Sequence, residues 1–373
     1  MTLRLERIDY PSPAFDAMVP EWEALDARVF PRTPFTSPNW VRLWWTHLRR
    51  NTIWTRDELF LQALRDESGR LIAVAPLMLT RRPARGPFQL RVLQFIGADP
   101  SITEVRGIIC DQESHDLAFR KLLEFFERHQ DEFDIFIWHG VRDVGCAVDA
   151  LRSLGGAQHD MLPAYIIELP ESWEKLLAGL SSNMRKSLRK SYEFLERDGH
   201  KFVFRSLTKP GCLDAALRCF LSLHGARSAA NDMKMHPDRF NGHSRHLALV
   251  ADFAREMAES NRLHMLQLEI AGEVVATRIS FQLGDDLYLY YSGFDPKWKQ
   301  YSVMTTLLSE TIKWALSRGV KRVNFSTGND LGKLRWRPSE VRYHNGLVLS
   351  PTWRGRFAAF AIKAAIRLRE RPN

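Results

Sequence analysis

Short runs alternating apolar and polar residues, separated by stretches with helical periodicity, recur through both halves of the chain. In the first half, Leu3–Ile8 predicts a strand and Glu21–Val29 a helix. Ser37-Pro38 predicts the start of a second helix through Trp40, Leu43, Trp44 and Leu48, with Ser as N-cap and Pro at the first helical position. Glu58–Leu64 and Leu71–Leu79 read as two strands joined by the hairpin signal Asp66-Glu67-Ser68-Gly69. Val92–Ile96 predicts another strand, Ser114–His129 a helix, and the apolar run Phe133–Trp138 a buried strand.

The second half repeats this order. Leu263–Ile270 and Glu273–Leu283 form a hairpin around Ala271-Gly272, followed by a strand Leu287–Tyr291, a helix Ser302–Ser317 and a strand Val320–Phe325. Ile96-Gly97-Ala98-Asp99-Pro100 and Ser292-Gly293-Phe294-Asp295-Pro296 follow matching strands, and the shared G-x-D-P with the common element order points to a tandem duplication. Between the halves lie a strand-like Ala164–Leu169, a short helix capped by Ser172, and a basic helix after Ser181. That helix carries Met184, Leu188, Tyr192 and Leu195 as an apolar stripe and Arg185, Lys186, Arg189, Lys190 and Arg197 as a charged face.

The 373 residues allow about two domains, and 45% hydrophobic with 26% charged residues is ordinary for a globular protein. The net charge of +9 suits anionic partners, whether CoA phosphates, nucleic acid or an acidic membrane surface, and suits equally a solvated surface. The opening Met1–Arg7 lacks a signal-peptide core and no run reaches the ~20 apolar residues of a membrane span, so a cytoplasmic protein is expected. Cys110, Cys146, Cys212 and Cys219 form no paired motif and read as reduced thiols. The tail from Trp353 to Arg371 mixes aromatic and basic residues, as an amphipathic helix docked on the protein or as a peripheral contact at the inner membrane face.

Candidate chemistry gathers in the second half. The N-terminus of the Ser302 helix, with Ser302, Thr305 and Thr306 in its first turn, offers unpaired amides to a diphosphate. Tyr290 is a candidate acid toward a departing thiolate, and Asp330 a candidate base. His224 and Arg227 stand at i,i+3 on a helix from Leu213 to Ala229, and Arg185 and Arg189 at i,i+4 form a natural pair for phosphate or carboxylate. His236, His243 and His246 lack a recognisable zinc-ligand spacing, and there is no Walker loop, GxGxxG or GxSxG.

The sequence resembles the GNAT-superfamily acetyltransferases of the CelD/BcsL type, linked to cellulose or exopolysaccharide biosynthesis. The resemblance rests on Phe35-Thr36-Ser37-Pro38-Asn39-Trp40 with Trp44-Trp45, on Leu180–Lys190 as an L-S-x-x-x-R-x-x-x-R helix, and on His224 and Arg227 as H-x-x-R. Ser292–Pro296 supplies S-G-x-D-P, and Gly328–Trp336 resembles G-D-x-x-x-K-x-x-W. Three positions depart from the pattern: Ser302-Val303-Met304 stands for Ser-Pro-Gly, Asn329 for the aspartate, and Gly332 for a tyrosine. Met304 in the glycine position would crowd a phosphate.

The resemblance implies an α+β (α/β/α) fold of two tandem GNAT-like domains, as in the FemAB-type transferases, each a mixed twisted sheet flanked by helices. Residues 1–165 would shape the acceptor cleft, 166–350 would bind acyl-CoA and catalyse, and 351–373 would form the basic helix. It implies acetyl-CoA or another acyl-CoA as co-substrate and no metal, with direct attack by an amine or hydroxyl of a saccharide or related small molecule. His224, Asp330 and Tyr290 become the catalytic candidates. Tyr291, Ser292, Gly293, Ser302, Val303, Met304, Thr305 and Thr306 become the donor-binding candidates, and Arg185, Arg189, Arg227, Lys333 and Trp336 the substrate-binding ones. Two rival readings are aminoacyl transfer from tRNA, suited by the basic helix, and a non-catalytic GNAT-like scaffold.

Overall fold

A computed structural model describes residues 3–86, 88–99, 101–110, 112–142, 147–230, 237–358 and 360. The first part of the chain runs β1 (Arg4–Ile8), α1 (Pro13–Asp26), α2 (Pro38–Leu48), β2 (Arg56–Leu59), β3 (Leu61–Arg65), β4 (Leu71–Ala75) and β5 (Leu77–Arg82). It continues with β6 (Leu90–Phe95), β7 (Ile109–Cys110), α3 (His115–Arg128), β8 (Ile135–Arg142), α4 (Ala147–Ser153) and β9 (Ala157–Glu168). The middle holds α5 (Trp173–Gly179), α6 (Ser182–Arg197), β10 (Phe202–Leu207), α7 (Pro210–Ala229) and α8 (Ser244–Glu259). Then follow β11 (Leu263–Ile270), β12 (Glu273–Leu283), β13 (Asp286–Phe294), α9 (Val303–Ser317), β14 (Arg322–Thr327), α10 (Leu331–Leu334) and β15 (Ser339–Leu349).

Two compact units result, Met1–Leu162 with Arg342–Asn373, and Pro163–Val341. In unit 1, each of the two runs expected as single strands breaks in the middle. β3 and β4 join β1 and β7 in one sheet, while β2 and β5 join β6 and β8 in another. β5 and β6 are antiparallel, and β6 and β8 are parallel, connected through α3. An aromatic core of Phe95, Phe119, Phe126, Phe136 and Trp138 fills this unit. The Ser37 hydroxyl accepts from the Trp40 amide, as its place before Pro38 predicts.

Unit 2 is an antiparallel meander β10-β11-β12-β13, extended by β14 parallel to β13 and β9 antiparallel to β14. α6 and α9 cover this sheet through two apolar clusters, one around Leu188, Leu287 and Ile312 and another around Leu195, Leu266 and Leu307. The α6 stripe is buried at Met184, Leu188 and Leu195; Tyr192 is half-buried, and its hydroxyl donates to Glu310 at 2.7 Å.

Residues 342–349, expected inside a 166–350 domain, pair with β8 in unit 1. Conversely, β9 leaves unit 1 after α4 and its second half pairs with β14 in unit 2. Unit 1 thus takes a strand from chain that follows all of unit 2, a pairing that no local pattern encodes. Cys110, Cys212 and Cys219 are free thiols, and Cys146 lies outside the described residues. Of the expected C-terminal helix, Trp353, Phe357 and Phe360 are exposed, and residues 361–373 lie outside the described residues. Among the described residues, no helix is long and apolar enough to cross a membrane.

Candidate functional site

β13 and β14 are paired over only three positions, Asp286–Tyr288 against Arg322–Asn324. Beyond Tyr288 the β12–β13 register also shifts: Arg278 faces Ser292 while Ser280 faces Leu289, so β13 bulges at Tyr290–Tyr291. A parallel pair that separates at its C-terminal end, next to the N-terminus of its crossover helix, is where open α/β sheets bind ligands. Here that helix is α9.

The first turn of α9 is shaped for close approach. Ser302 is in the left-handed region (φ 54°) and its carbonyl already receives the Thr305 and Thr306 amides. Val303 is fully buried, and Met304 packs against the same apolar cluster around Leu195 and Leu307. Both side chains therefore pack inward onto that cluster. Thr306 is also buried, its hydroxyl within 3.5 Å of the Ser191 carbonyl. Ser302 and Thr305 keep solvent access. Asp295 holds the turn leading into this helix by accepting the Lys297 amide at 3.0 Å.

α7 lies directly against β13. A Cβ on Gly293 would fall 2.4 Å from the His224 amide nitrogen, so only glycine permits this approach. The approach puts His224 Nδ1 2.9 Å from the Ser292 carbonyl, and Nε2 accepts from the Arg239 amide at 3.4 Å. These partners assign the proton to Nδ1. Burial pushes the His224 pKa down, against smaller opposing effects of the Ser292 carbonyl and Asp238. The ring is fixed by both nitrogens and wedged among Phe220, Phe240 and Tyr291.

One turn on, Arg227 Nη1 donates to the Ser292 hydroxyl at 2.9 Å. On β12, Arg278 stands opposite the same serine. Each guanidinium has a buried Nε without a hydrogen-bond partner, and among the described residues neither is ion-paired. Desolvation lowers the Arg278 pKa to about 10, with the positive charge of Arg227 adding to it and Asp330 opposing. Desolvation also lowers Arg227, again opposed by Asp330. Two desolvated cations thus stand beside one serine, an arrangement that chemically suits an anionic group.

Asp330 caps α10, accepting the Gly332 amide at 2.8 Å. Lys333 donates to the Thr327 carbonyl at 2.5 Å and braces the same loop. Trp336 is buried beneath it against Trp173 and Phe325. Tyr290 is buried, with its ring against Tyr291 and Phe281. The structure thus gathers His224, Arg227, Tyr290, Tyr291, Ser292, Gly293 and Asp330 around the end of β13. Arg185 and Arg189 are occupied elsewhere: Arg185 donates to the Leu180 carbonyl at 2.7 Å, and Arg189 pairs with Glu193 on the surface. Arg278 was missed by sequence reasoning. Its signal was a lone cation within the apolar run Val274–Phe281. Among the described residues, no cluster of three or more His, Cys, Asp or Glu side chains could hold a metal ion.

Residues 182–337 match the acetyltransferase (GNAT) domain family. The matched segment begins at α6 and ends after α10, so it contains every element of the cluster around β13 and α9. No curated protein matches the chain. Among solved structures, a conserved protein of unknown function from Bacteroides thetaiotaomicron is similar at 13% identity. It covers 93% of this chain and 100% of its own, with a TM-score of 0.51. The C-terminal domain of a putative lysylphosphatidylglycerol synthetase from Agrobacterium fabrum is similar at 12% identity, covering 95% and 97%, also with a TM-score of 0.51. A tandem GNAT protein from the clavulanic acid biosynthesis pathway is similar at 10% identity, covering 94% and 99%, with a TM-score of 0.48. At these identities the likeness is one of fold, and it spans both units. The acetyltransferase-type segment lies within unit 2, and the family it matches implies acyl-CoA as co-substrate.

Proposed function

We propose that the protein transfers an acyl group from acyl-CoA to an amine or hydroxyl of a sugar-type or related small molecule that also carries an anionic group. The observation that carries this reading is the opening of β13 from β14 at the Tyr290–Tyr291 bulge, beside the N-terminus of α9, where Ser302 and Thr305 keep solvent access. The donor's diphosphate would lie on the α9 amides, which have no intrahelical partner. Its pantetheine arm would enter between β13 and β14. Backbone N–H groups near Tyr291–Gly293 would hold the thioester carbonyl. Arg227 and Arg278 would hold the acceptor's anionic group.

In the reaction, the acceptor's nitrogen or oxygen attacks the carbonyl carbon, the C–S bond breaks, and CoA leaves as a thiolate that takes up a proton. Asp330, directly or through a water, removes the acceptor's proton. His224 is a positioning residue in this scheme, because its two ring nitrogens already bind Ser292 and Arg239. The acceptor's link to cellulose or exopolysaccharide remains part of the proposal and rests on the family resemblance.

The test is the unfolding midpoint with and without millimolar acetyl-CoA, free CoA and longer acyl-CoAs, followed by thiol release with candidate acceptors. A ligand at about 100 times its Kd adds about 2.7 kcal/mol, several degrees for a chain of this size. No shift with any thioester, together with a salt-sensitive affinity for aminoacyl-tRNA, would replace this reading with aminoacyl transfer.

A further inference from the structure

A cavity of about 290 Å³ lies in unit 1, lined by residues of that unit alone. It opens at the place equivalent to the acyl-transfer cluster of unit 2. β6 and β8, like β13 and β14, are parallel over only three positions, Val92–Gln94 against Ile135–Ile137, and are linked by a helix, α3. Beyond that pairing β8 does not stay open: Arg106 bridges to Val141 in parallel, and its amide donates to the Gly140 carbonyl at 2.9 Å. The inserted segment closes the route that a pantetheine arm would need and leaves a small chamber at the N-terminus of α3.

The chamber's chemistry is one-sided. Phe30, Val105, Ile108 and Phe119 supply apolar wall, and Arg106, Arg142 and His115 supply the polar part. Arg106 is anchored through Nη2 to the Asp99 carbonyl at 2.8 Å, while its Nε is buried and unpartnered. Burial pushes its pKa down to about 10, so it stays cationic at neutral pH. Arg142 makes a cation–π contact with Phe30 at 5.8 Å and, among the described residues, has no ion pair. His115 stacks on Phe119 with ring centroids 4.3 Å apart and leaves a buried, unpartnered Nε2. Of the acids of the lining, Glu113 and Asp116 are both exposed; Asp116 stands 3.7 Å from His115 Nδ1 and, among the described residues, leaves Nε2 and both guanidiniums unpaired. Two guanidiniums, an orphaned imidazole nitrogen and a helix N-terminus around an apolar chamber are the parts of an anion site with a hydrophobic end.

We propose that unit 1 binds a small carboxylate with an apolar body in this cavity. The carboxylate lies between Arg106 and Arg142 and the body against Phe30 and Phe119. The volume is at the low end of the roughly 300–1,000 Å³ of ligand pockets, which suits a compact organic acid and excludes coenzyme A. This site is independent of the acyl-transfer reading, since none of its residues belongs to unit 2.

The experiment titrates the full chain with benzoate and hexanoate by saturation-transfer NMR, using benzamide, hexanol and inorganic phosphate as comparisons. The expected result is carboxylate binding, with the neutral analogues and phosphate at least roughly ten-fold weaker. Arg142→Gln and His115→Asn, each checked for an unchanged unfolding midpoint, should each weaken benzoate by about ten-fold. The proposal is overturned if no carboxylate binds the wild type, if benzamide or phosphate binds as well, or if both variants keep wild-type affinity. Displacement of benzoate by acetyl-CoA would overturn it as well, by placing the probe in the donor site.

Discussion

Gly293→Ala should be the most informative single-methyl change in the protein. The added Cβ would lie 2.4 Å from the His224 nitrogen, 2.5 Å from the Leu223 carbonyl carbon and 2.8 Å from the His224 Cα, all backbone atoms of α7. Comfortable carbon contacts are about 3.5–4.0 Å, so α7 would have to retreat by about 1 Å along the face it buries against β13. Overpacking of this kind costs about 1–3 kcal/mol. The retreat also stretches the 2.9 Å bond from His224 to the Ser292 carbonyl, and a buried pair left apart adds about 1–3 kcal/mol. The sum, about 2–6 kcal/mol, is a large fraction of a domain's usual 5–15 kcal/mol. Urea unfolding, followed by far-UV circular dichroism for the transition of unit 2, should show the midpoint falling with an unchanged slope. Gly179→Ala is the control: nothing lies within 4 Å of its Cβ, so the change should be neutral or slightly stabilising. If Gly293→Ala stays within about 0.5 kcal/mol of the wild type, surface-level tolerance applies there and the claimed helix–strand contact is refuted.

Further outcomes follow from unit 2. Arg278→Met should raise KM for an anionic acceptor by roughly ten-fold or more while leaving the donor KM unchanged, read by thiol-release kinetics. Its stability should not fall, since the guanidinium it removes is desolvated and unpaired. Asp330→Asn keeps a side chain able to cap Gly332 but removes the charge, so kcat should drop about 10²–10⁴-fold with little change in the unfolding midpoint. Equal kcat in Asp330→Asn and wild type would remove Asp330 from the base role. His264, buried between Ser206 and Gln282, has its pKa lowered by burial to about 4. As pH falls from about 6.5 toward 4, the unfolded chain takes up the proton and the folded one does not. Stability should therefore drop by up to about 3 kcal/mol across that window. His264→Gln should flatten that part of the pH–stability curve, and an unchanged slope would refute the assignment.

Much of the architecture was legible because it is local. Ser37-Pro38 announced α2, the Met184–Leu195 spacing announced the buried face of α6, and the two hairpin signals announced β3–β4 and β11–β12. The breaks at Phe60 and Pro76 were not visible, because a strand that changes sheets keeps the same apolar run. β10, α8 and β15 were not read. In β15, polar Glu340, Arg342, His344 and Asn345 hide the alternation, and its partner β8 is some two hundred residues away. At the site, His224 and Arg227 could be paired from their helical spacing. Their meeting with Ser292 depends on the α7–β13 packing that Gly293 permits, a contact between remote segments. Arg278 escaped because register across β12 and β13, rather than its own neighbours, gives it meaning.

The late strand β15 imposes an order on synthesis. Unit 2 is one unbroken run from Pro163 to Val341, but unit 1 waits for Tyr343–Leu349 before the outer side of β8 is paired. On a ribosome adding about 5–20 residues per second, β8 therefore stands with an open edge for roughly 10–40 s while the whole of unit 2 emerges. That edge carries Ile135, Phe136 and Trp138, an apolar template that another nascent chain could join. The first unit to be translated is the last to be sealed.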